Sequence, residues 1–391
     1  MGEKRRVAVT GIGVVSPVGI GLEAFWQGLL APQPTEERRV HDFDPEDFYD
    51  DTKAIRRADR FEQFAIAAAK QALGQAGSLA TDPERIGVLV GTGIGGVETH
   101  EAQTLVLDRK GPRRVSPFTV PMMMVNAAAA AISIQYGFQG PCETVGTACA
   151  TGTHAIGTAA RWIQHGLCDA VLAGSSEAAM TPISINSFSN MKALSPTGIS
   201  RPFDTARDGF IISEGGAVLV LEEWEHATRR GATLLGEVLG SASVADAHHI
   251  TAPAPGGAGA IRCMQRALDD AGVEPSQIAH INAHGTSTLL NDAAEAKGIA
   301  QLFGHPGPIV TSIKGVTGHS LGAAGALEAA AVLLSMHHAL IPPTDGLEQY
   351  DPDLPKIDVV QKEARPWTPG PSLSNSFGFG GHNGTLVLGP A

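Results

Sequence analysis

The stretch Val145-Gly-Thr-Ala-Cys149-Ala-Thr-Gly-Thr-His154 places a cysteine among small residues, where a short strand is expected to end. Apolar residues follow at helical spacing from Ile156 to Ile163, so Cys149 falls at the start of a predicted helix. The positive end of a helix stabilises a thiolate and lowers the pKa of its thiol. Taken alone, a cysteine in an apolar run is more often an inert core residue, but its position and small neighbours favour a nucleophile.

Two further motifs each hold a histidine beside a predicted helix start. His284 lies in NAHGTST, between an apolar strand and a helix, where a histidine satisfied within a turn is an equally good interpretation. His319 lies in KGVTGHSLGAAGALE, where the helix dipole disfavours an imidazolium and keeps a neutral hydrogen-bond donor. Lys314 and Glu328 of the same motif are predicted to pair. Because buried pairs are at least as often structural as catalytic, we assign both residues supporting roles.

A glycine-rich motif near the end of the chain, NSFGFGG, surrounds Phe377 and Phe379 and precedes an apolar strand over residues 385–388. Glycines let backbone N–H groups approach a ligand closely, so the motif indicates a binding loop. The alternative interpretation is a glycine-rich turn with two core phenylalanines.

The composition is that of a large globular protein. The chain has 391 residues, 43% hydrophobic and 17% charged, which exceeds one compact domain, so two packed halves are expected. Its formal net charge of −12 argues against general affinity for nucleic acid or anionic membranes. No apolar stretch approaches the roughly 18 residues of a membrane-spanning helix, so a cytoplasmic protein is predicted. The four cysteines are scattered without a CxxC pair, which indicates neither a disulfide framework nor a zinc site.

Apolar runs alternate with alanine-rich helical stretches along the chain. Runs such as 86–90 and 170–173 lack polar alternation, as expected of strands buried on both faces, and a helix is predicted over 61–76. This alternation predicts an α/β fold with a mainly parallel sheet. The segment 251–259, rich in Pro, Gly and Ala, is the clearest change of composition along the chain and is taken as the division between two halves. The predicted halves are residues 1–250, with the cysteine, and 251–391, with the two histidines.

In these four motifs and in their order, the chain resembles the β-ketoacyl-acyl-carrier-protein synthases of the elongating I/II class, especially the synthase II type. The resemblance covers essentially the whole chain, and TACATG, NAHGTST, KGVTGHSLGAAGALE and NSFGFGG are highly specific together. It implies an α/β thiolase-like fold, in which two similar halves stack into five layers, α-β-α-β-α, normally as a homodimer. It also implies decarboxylative condensation of an acyl-enzyme thioester with a malonyl-acyl-carrier-protein.

The resemblance implies roles for individual residues. Cys149 accepts the acyl group, His284 and His319 stabilise the malonyl enolate, and the N–H groups of Cys149 and Phe379 form the oxyanion hole. The resemblance also implies a rim of basic residues that docks the acidic carrier protein, although each of these residues, taken separately, is more often a solvated surface charge. Further positions match supporting polar residues (Lys314, Glu328), contacts to the pantetheine arm (Thr286, Thr288), the acyl pocket and its gate (Ile94, Thr119, Phe188, Phe377, Phe379) and the docking rim for the acidic carrier protein (Lys53, Arg56, Arg57, Arg113, Arg114, Lys192).

The implied partners are acyl- and malonyl-acyl-carrier-proteins. No metal and no cofactor of the enzyme's own is implied, because the carrier supplies phosphopantetheine. Three positions depart from residues common in the family: Thr119 replaces a larger residue, Leu289 a proline and His382 a threonine. None of these departures removes a chemical group, so they bear on specificity and loop motion rather than on reaction class.

Related proteins are the alternatives. A thiolase normally has a second cysteine in the C-terminal glycine-rich motif, which is absent here, and a starter synthase of the third class normally has Asn in place of His319. A polyketide ketosynthase uses the same Cys-His-His chemistry and stays open. A noncatalytic chain-length partner usually lacks the nucleophile, so Cys149 disfavours that interpretation.

Overall fold

The computed structural model describes residues 4–31 and 38–391. Strands and helices alternate along most of the chain. The strands are β1 Val7–Ser16, β2 Gly19–Ile20, β3 Ile86–Gly91, β4 Cys142–Glu143, β5 Ala170–Glu177, β6 Gly215–Glu223, β7 Gly236–Ala245, β8 His280–Asn282, β9 Ile309–Thr311, β10 Leu340–Ile341, β11 Asp358–Val359, β12 Arg365–Pro366, β13 Ser372–Gly378 and β14 His382–Gly389. The helices are α1 Leu22–Leu30, α2 Thr52–Ile55, α3 Arg60–Ala76, α4 Val97–Lys110, α5 Thr119–Met123, α6 Ala127–Tyr136, α7 Thr151–Gln164, α8 Pro182–Asn190, α9 Trp224–Arg229, α10 Ala258–Ala271, α11 Leu289–Phe303, α12 Lys314–Thr317 and α13 Ala324–His338.

Twelve strands join into one mixed sheet within the described ranges. Their order is β11-β9-β8-β13-β14-β7-β1-β6-β5-β3-β4, with β2 beside β1, and β10 pairs separately with β12. The strands β3, β4 and β5 pair in parallel, as do β8, β9, β11 and β13. By contrast, β6 and β14 run antiparallel to both of their neighbours. The prediction of a mainly parallel sheet is therefore wrong.

The sheet contains the same arrangement twice. In the first set the strands lie side by side in the order β4-β3-β5-β6-β1. In the second set the corresponding order is β9-β8-β13-β14-β7, and corresponding strands run in the same relative directions. The two first strands, β1 and β7, pair antiparallel and join the sets. This repeat confirms two similar halves. The division at residue 250 stays a prediction. The first strand of the second set, β7, lies before that residue and pairs with β14.

The helices lie in three layers around the two strand sets. On one outer face α3 packs against β1, β5 and β6, and on the other α10 packs against β7 and β14. Between the sets, α7 and α13 contact strands of both, and their apolar side chains fill a central core. The order of layers is thus α-β-α-β-α, which confirms the predicted five-layer thiolase-like fold.

Local signals place the ends of the helix that was predicted over 61–76. The helix α3 begins after Asp59, whose side chain and that of Glu62 form a reciprocal capping box. It ends at Gly77, which adopts φ 71°. Among the described residues, no helix combines the length and apolar character needed to cross a membrane.

Candidate active site

Cys149 lies on a tight turn directly before α7. The turn is a 3-10 helix over Ala148–Ala150, and Ala148 adopts φ 50°, a left-handed conformation that costs a non-glycine residue roughly 1–3 kcal/mol. The Thr151 hydroxyl holds the turn, because it accepts the N–H of Thr147 at 2.9 Å and donates to the Ala148 carbonyl at 2.8 Å. Cys149 is only 7% exposed, so its thiol is largely enclosed.

The helices α7 and α13 approach closely at their first turns because both have a glycine there. A Cβ on Gly152 would collide with the backbone of α13, and a Cβ on Gly325 would lie 2.6 Å from the backbone of α7. Backbones this close leave no room for side chains. The segment before α13 therefore reaches the turn before α7, and Nε2 of His319 lies 3.1 Å from Sγ of Cys149.

A separate loop fixes the backbone of His319. Its N–H donates to the Ile211 carbonyl at 2.7 Å, and its carbonyl accepts the N–H of Ser213 at 3.0 Å. The Phe210 ring meets the imidazole edge to face, with 5.0 Å between the ring centroids. These contacts hold the imidazole beside the thiol and leave Nε2 for the sulfur.

His284 follows β8 and is fixed by charged side chains behind it. Glu295 accepts its N–H at 2.8 Å, and Nζ of Lys314 donates to its carbonyl at 2.7 Å. Nζ of Lys314 also lies 3.3 Å from Nδ1 of His284 and forms the predicted ion pair with Glu328. An ammonium group can only donate, so Nδ1 accepts and the neutral ring carries its proton on Nε2. The ring centroids of His284 and His319 are 5.5 Å apart.

Burial sets the protonation states of this cluster. Sγ of Cys149 and one ring nitrogen from each of His284 and His319 all lie within 4.8 Å of one another. Burial, aided by the charge of Lys314, holds the pKa of each histidine well below 6.5, so both rings are neutral. Burial also raises the pKa of the Cys149 thiol to about 11, which outweighs the opposing effects of Lys314 and of backbone N–H groups. The prediction of a lowered cysteine pKa is therefore wrong for the resting protein.

Two backbone N–H groups lie near enough to the cysteine sulfur to oppose the rise in its pKa. They belong to Cys149 itself and to Phe379. A Cβ on Gly378 would lie 3.0 Å from the Cys149 nitrogen, so glycine at this position lets the C-terminal loop lie against the nucleophile turn. The structure thus brings together the two predicted oxyanion donors, and their role stays a prediction.

A cavity of about 510 Å³ opens on Cys149, His284 and His319. Leu289, one of the departures from the family pattern, also lines it and is 61% exposed. Most residues predicted to contact the substrate face the same space. Those that line the cavity are Ile94, Phe188, Lys192, Thr286, Thr288, Phe377 and Phe379.

Other predicted residues lie outside this cavity. Thr119 begins α5, is half-buried, and donates its hydroxyl to the Ser116 carbonyl at 2.7 Å. Lys314 and Glu328 lie behind His284, and His382 is exposed. The acyl-pocket role of Thr119 stays a prediction. The remaining docking residues are exposed away from the cavity: Lys53, Arg56, Arg57, Arg113 and Arg114.

Two family models together span the site. The N-terminal domain of β-ketoacyl synthase matches residues 31–227, which include Cys149, and the C-terminal domain matches residues 235–348, which include both histidines. The chain belongs to the β-ketoacyl synthase family. The family predicted from the four motifs is therefore confirmed.

Relatives cover this β-ketoacyl synthase from end to end. It is 44% identical over 410 residues to 3-oxoacyl-[acyl-carrier-protein] synthase 2 of Synechocystis sp., covering 99% of this chain and 98% of the relative. The solved ishigamide ketosynthase/chain length factor is similar with a TM-score of 0.93 at 34% identity, over 100% of both chains. A solved complex of a type II polyketide acyl carrier protein with its ketosynthase is similar with a TM-score of 0.90 at 31% identity, over 100% of this chain and 100% of the matched chain.

Sequence reasoning misses two buried carboxylates of this synthase. Glu295 accepts the N–H groups of His284 and Gly285 at 2.8 Å each and so orients the histidine turn. Glu177 accepts three backbone N–H groups and one hydroxyl beside the cavity. An acidic residue in an otherwise apolar or small-residue run is the signal that marks Glu177, in AVLAGSSE, whereas the charged residues around Glu295 in DAAEAKG conceal it.

Lys314→Met is expected to raise the pKa of both site histidines toward 6.5. The substitution removes a positive charge that opposes imidazolium formation, and Glu328, whose pKa burial raises to about 7, can then take up a proton. As the pH falls, the wild-type rings stay neutral through 6.5, whereas the variant rings begin to protonate at a higher pH than in the wild type. NMR titration of histidine ring nitrogens measures the change. Lys356→Met, at an exposed lysine, is the control, and identical titrations in all three proteins would refute the assigned electrostatics.

Proposed function

We propose that this chain catalyses the decarboxylative condensation of an acyl group, held on Cys149, with malonyl-acyl-carrier-protein in fatty-acid elongation. The observation that carries the proposal is a thiol and two neutral imidazoles within 4.8 Å of one another in one cavity. Relatives named 3-oxoacyl-[acyl-carrier-protein] synthase 2 support this reaction class. The product is a β-ketoacyl-acyl-carrier-protein, and the enzyme is an acyltransferase.

In the first half-reaction, Sγ of Cys149 attacks the carbonyl carbon of an acyl thioester. His319 takes the thiol proton on Nε2, because a thiol with a pKa of about 11 does not ionise unaided at neutral pH. The N–H groups of Cys149 and Phe379 stabilise the oxyanion that develops on the carbonyl oxygen. The carbon–sulfur bond to the pantetheine breaks, its sulfur takes the proton from His319, and an acyl-cysteine remains.

In the second half-reaction, the malonyl thioester loses carbon dioxide. The bond between its carboxylate and the α-carbon breaks, and the electron pair moves into an enolate. The enolate oxygen accepts a hydrogen bond from Nε2 of His284 and one from Nε2 of His319, whose neutral ring carries its proton on Nε2 in this step and on Nδ1 during acyl transfer. The α-carbon then attacks the acyl carbonyl, and the sulfur of Cys149 leaves and is reprotonated from water. Lys314 supports this step by keeping the His284 proton on Nε2.

Intact-mass measurement tests the proposal. Incubation with an acyl-carrier protein should add the mass of one acyl group to the chain, and malonyl-carrier protein should then remove it with release of carbon dioxide. A wild-type chain that gains no acyl mass would instead favour a noncatalytic chain-length partner.

A polyketide ketosynthase is the second candidate, because the similar solved proteins include the ishigamide ketosynthase/chain length factor and a type II polyketide ketosynthase. Both candidates use the same two half-reactions, so they differ in how many condensations follow one another. Product analysis with excess malonyl-carrier protein and no reductase separates them. One condensation supports fatty-acid elongation, whereas a chain with several keto groups supports the polyketide alternative.

The carrier protein supplies phosphopantetheine, so we propose no metal and no cofactor of the enzyme's own. Thr286 and Thr288 line the cavity with their hydroxyl oxygens 3.0 Å apart, which suits hydrogen bonds to the amides of a pantetheine arm. The net charge of −12 fits neither a nucleic-acid nor a membrane partner, and a cytoplasmic location is part of the proposal.

Replacing Arg113 and Arg114 together by glutamate is expected to raise the KM for carrier-bound substrates about tenfold and leave kcat nearly unchanged. Both side chains are exposed and lie outside the cavity, so the change acts on docking rather than on chemistry. Steady-state kinetics at low and high salt measures the effect, because screening should reduce it. Lys356→Glu is the control outside the docking set. Equal KM values in the double variant and the wild type would exclude these two residues from the docking surface.

We also propose a homodimer that forms through β4. This strand is the edge of the sheet, and both of its residues are exposed, so its backbone can pair with another chain. The helix α6 packs beside β4, and its Ile134 is 81% exposed. Light scattering during size-exclusion chromatography should give twice the mass of the chain, and Ile134→Glu should lower that mass. A wild type with the mass of one chain would exclude the dimer.

A further inference from the structure

Glu177 is a buried carboxylate that the two half-reactions do not use. It is the last residue of β5, and its exposed fraction is 0%. Burying an ionised carboxylate is costly unless its oxygens are hydrogen-bonded. Within the described ranges, the hydrogen-bond donors that reach Glu177 are neutral groups.

Four donors converge on this carboxylate. Its Oε1 accepts the Thr92 hydroxyl at 2.9 Å and the Ile94 N–H at 3.3 Å. Its Oε2 accepts the Gly93 N–H at 2.8 Å and the Gly322 N–H at 3.1 Å. A carboxylate offers about four lone-pair sites, so all of its acceptor capacity is used. A neutral amide at this position would turn an NH2 group toward two of these donors.

The donors come from two segments that are remote in sequence. Residues 92–94 follow β3 in the first half and include Ile94 of the cavity wall. Gly322 lies in the second half, in the turn that joins His319 to α13. A Cβ on Gly93 would lie 2.6 Å from Oε2 of Glu177, and a Cβ on Gly322 would lie 2.7 Å from it. The carboxylate therefore joins the two halves at a point with no spare room.

We propose that Glu177 is a positioning residue that fixes Ile94 relative to the His319 segment and thereby sets which acyl chains the cavity accepts. The inference rests on the proposed acyl transfer to Cys149. Ile94 is partly exposed in the cavity wall and its N–H is held by Glu177, so a small displacement of this loop changes the space beside the nucleophile. The N–H of Gly322 transmits the same constraint to the turn after His319.

Three variants separate positioning from general stability. Glu177→Gln keeps the size of the side chain and removes two acceptor sites. Thr92→Val removes one donor on the Ile94 side and leaves Gly322 untouched. Glu222→Gln is the matched control. Glu222 is equally buried, but it lies on β6 opposite Ala170, at the end of β5 remote from Glu177.

The experiment measures the rate of Cys149 acylation by butyryl and by palmitoyl thioesters, with intact mass as the readout, and the decarboxylation of malonyl-carrier protein separately. We expect Glu177→Gln to change the ratio of the two acylation rates about tenfold and to slow decarboxylation through His319. Thr92→Val should change the ratio in the same direction without slowing decarboxylation. Glu222→Gln should lower the melting temperature and leave the ratio as in the wild type.

Equal losses for both acyl lengths in Glu177→Gln, matching those of Glu222→Gln, would reduce Glu177 to a structural residue and overturn the inference. If Glu177→Gln does not fold, Thr92→Val decides alone, and an unchanged ratio there overturns the inference as well. A wild type that is not acylated by either thioester would overturn the proposed function itself, which is a different outcome from an acylated wild type with unchanged ratios in the variants.

Discussion

Cys149→Ala is expected to lower the rate of protein acylation by at least about 10⁴-fold. The sulfur is the atom that would hold the acyl group, and His319 Nε2 and two backbone N–H groups are arranged around it. Intact mass after incubation with an acyl-carrier protein measures the result directly. The variant should keep its unmodified mass while the wild type gains one acyl group.

Cys263→Ala is the matched control for this experiment. Cys263 is likewise a buried free cysteine, and burial raises the pKa of its thiol to about 12. Its Sγ faces the Ala242 carbonyl in a different part of the core. The control should acylate at the wild-type rate. Comparable acylation of Cys149→Ala and the wild type would mean that another residue holds the acyl group.

The same variant separates the two half-reactions. Decarboxylation of the malonyl thioester needs N–H donors at the enolate oxygen and does not need the sulfur. Both histidines remain in Cys149→Ala, so malonyl-carrier protein should still lose carbon dioxide when acyl transfer has stopped. Loss of both reactions together would indicate that the substitution disturbs the position of His319, which lies in contact with the sulfur.

Much of the site was predictable because its residues lie in short motifs at strand ends and helix starts. The turn before α7 carries Cys149, and the turn after β8 carries His284, as local apolar patterns predict. That these side chains meet was predicted only through the family resemblance. The physical reason for the meeting, the close approach of α7 and α13 at Gly152 and Gly325, involves residues far apart in sequence.

The wrong predictions share a dependence on long-range packing. The apolar sequences of β6 and β14 resemble those of the parallel strands. Sequence alone therefore does not reveal that both strands run antiparallel to their neighbours. The helix start at Cys149 favours a lowered thiol pKa, but enclosure by remote segments raises it. Glu177 was missed for the same reason, since its four donors come from two segments, residues 92–94 and Gly322, that are remote from each other in sequence.

Replacing either His284 or His319 by alanine is expected to slow decarboxylation of malonyl-carrier protein about 10²–10³-fold, because each removes one donor from the enolate oxygen. Carbon dioxide release measures the effect. His226→Ala is the control, because this partly buried histidine bonds the Leu79 carbonyl outside the cavity. Asparagine in place of either site histidine keeps an N–H donor, so its loss should be smaller than that of alanine.

The two histidines should differ in the first half-reaction. Nε2 of His319 touches the sulfur, so His319→Ala should also slow acylation of Cys149, whereas His284→Ala should leave acylation closer to the wild-type rate. The proton of His284 is held on Nε2 by Lys314, which fits a donor rather than a base. Equal slowing of acylation by both substitutions would mean that the pair acts as one unit on the thiol. Decarboxylation at the wild-type rate in either variant would remove that ring from the enolate oxygen.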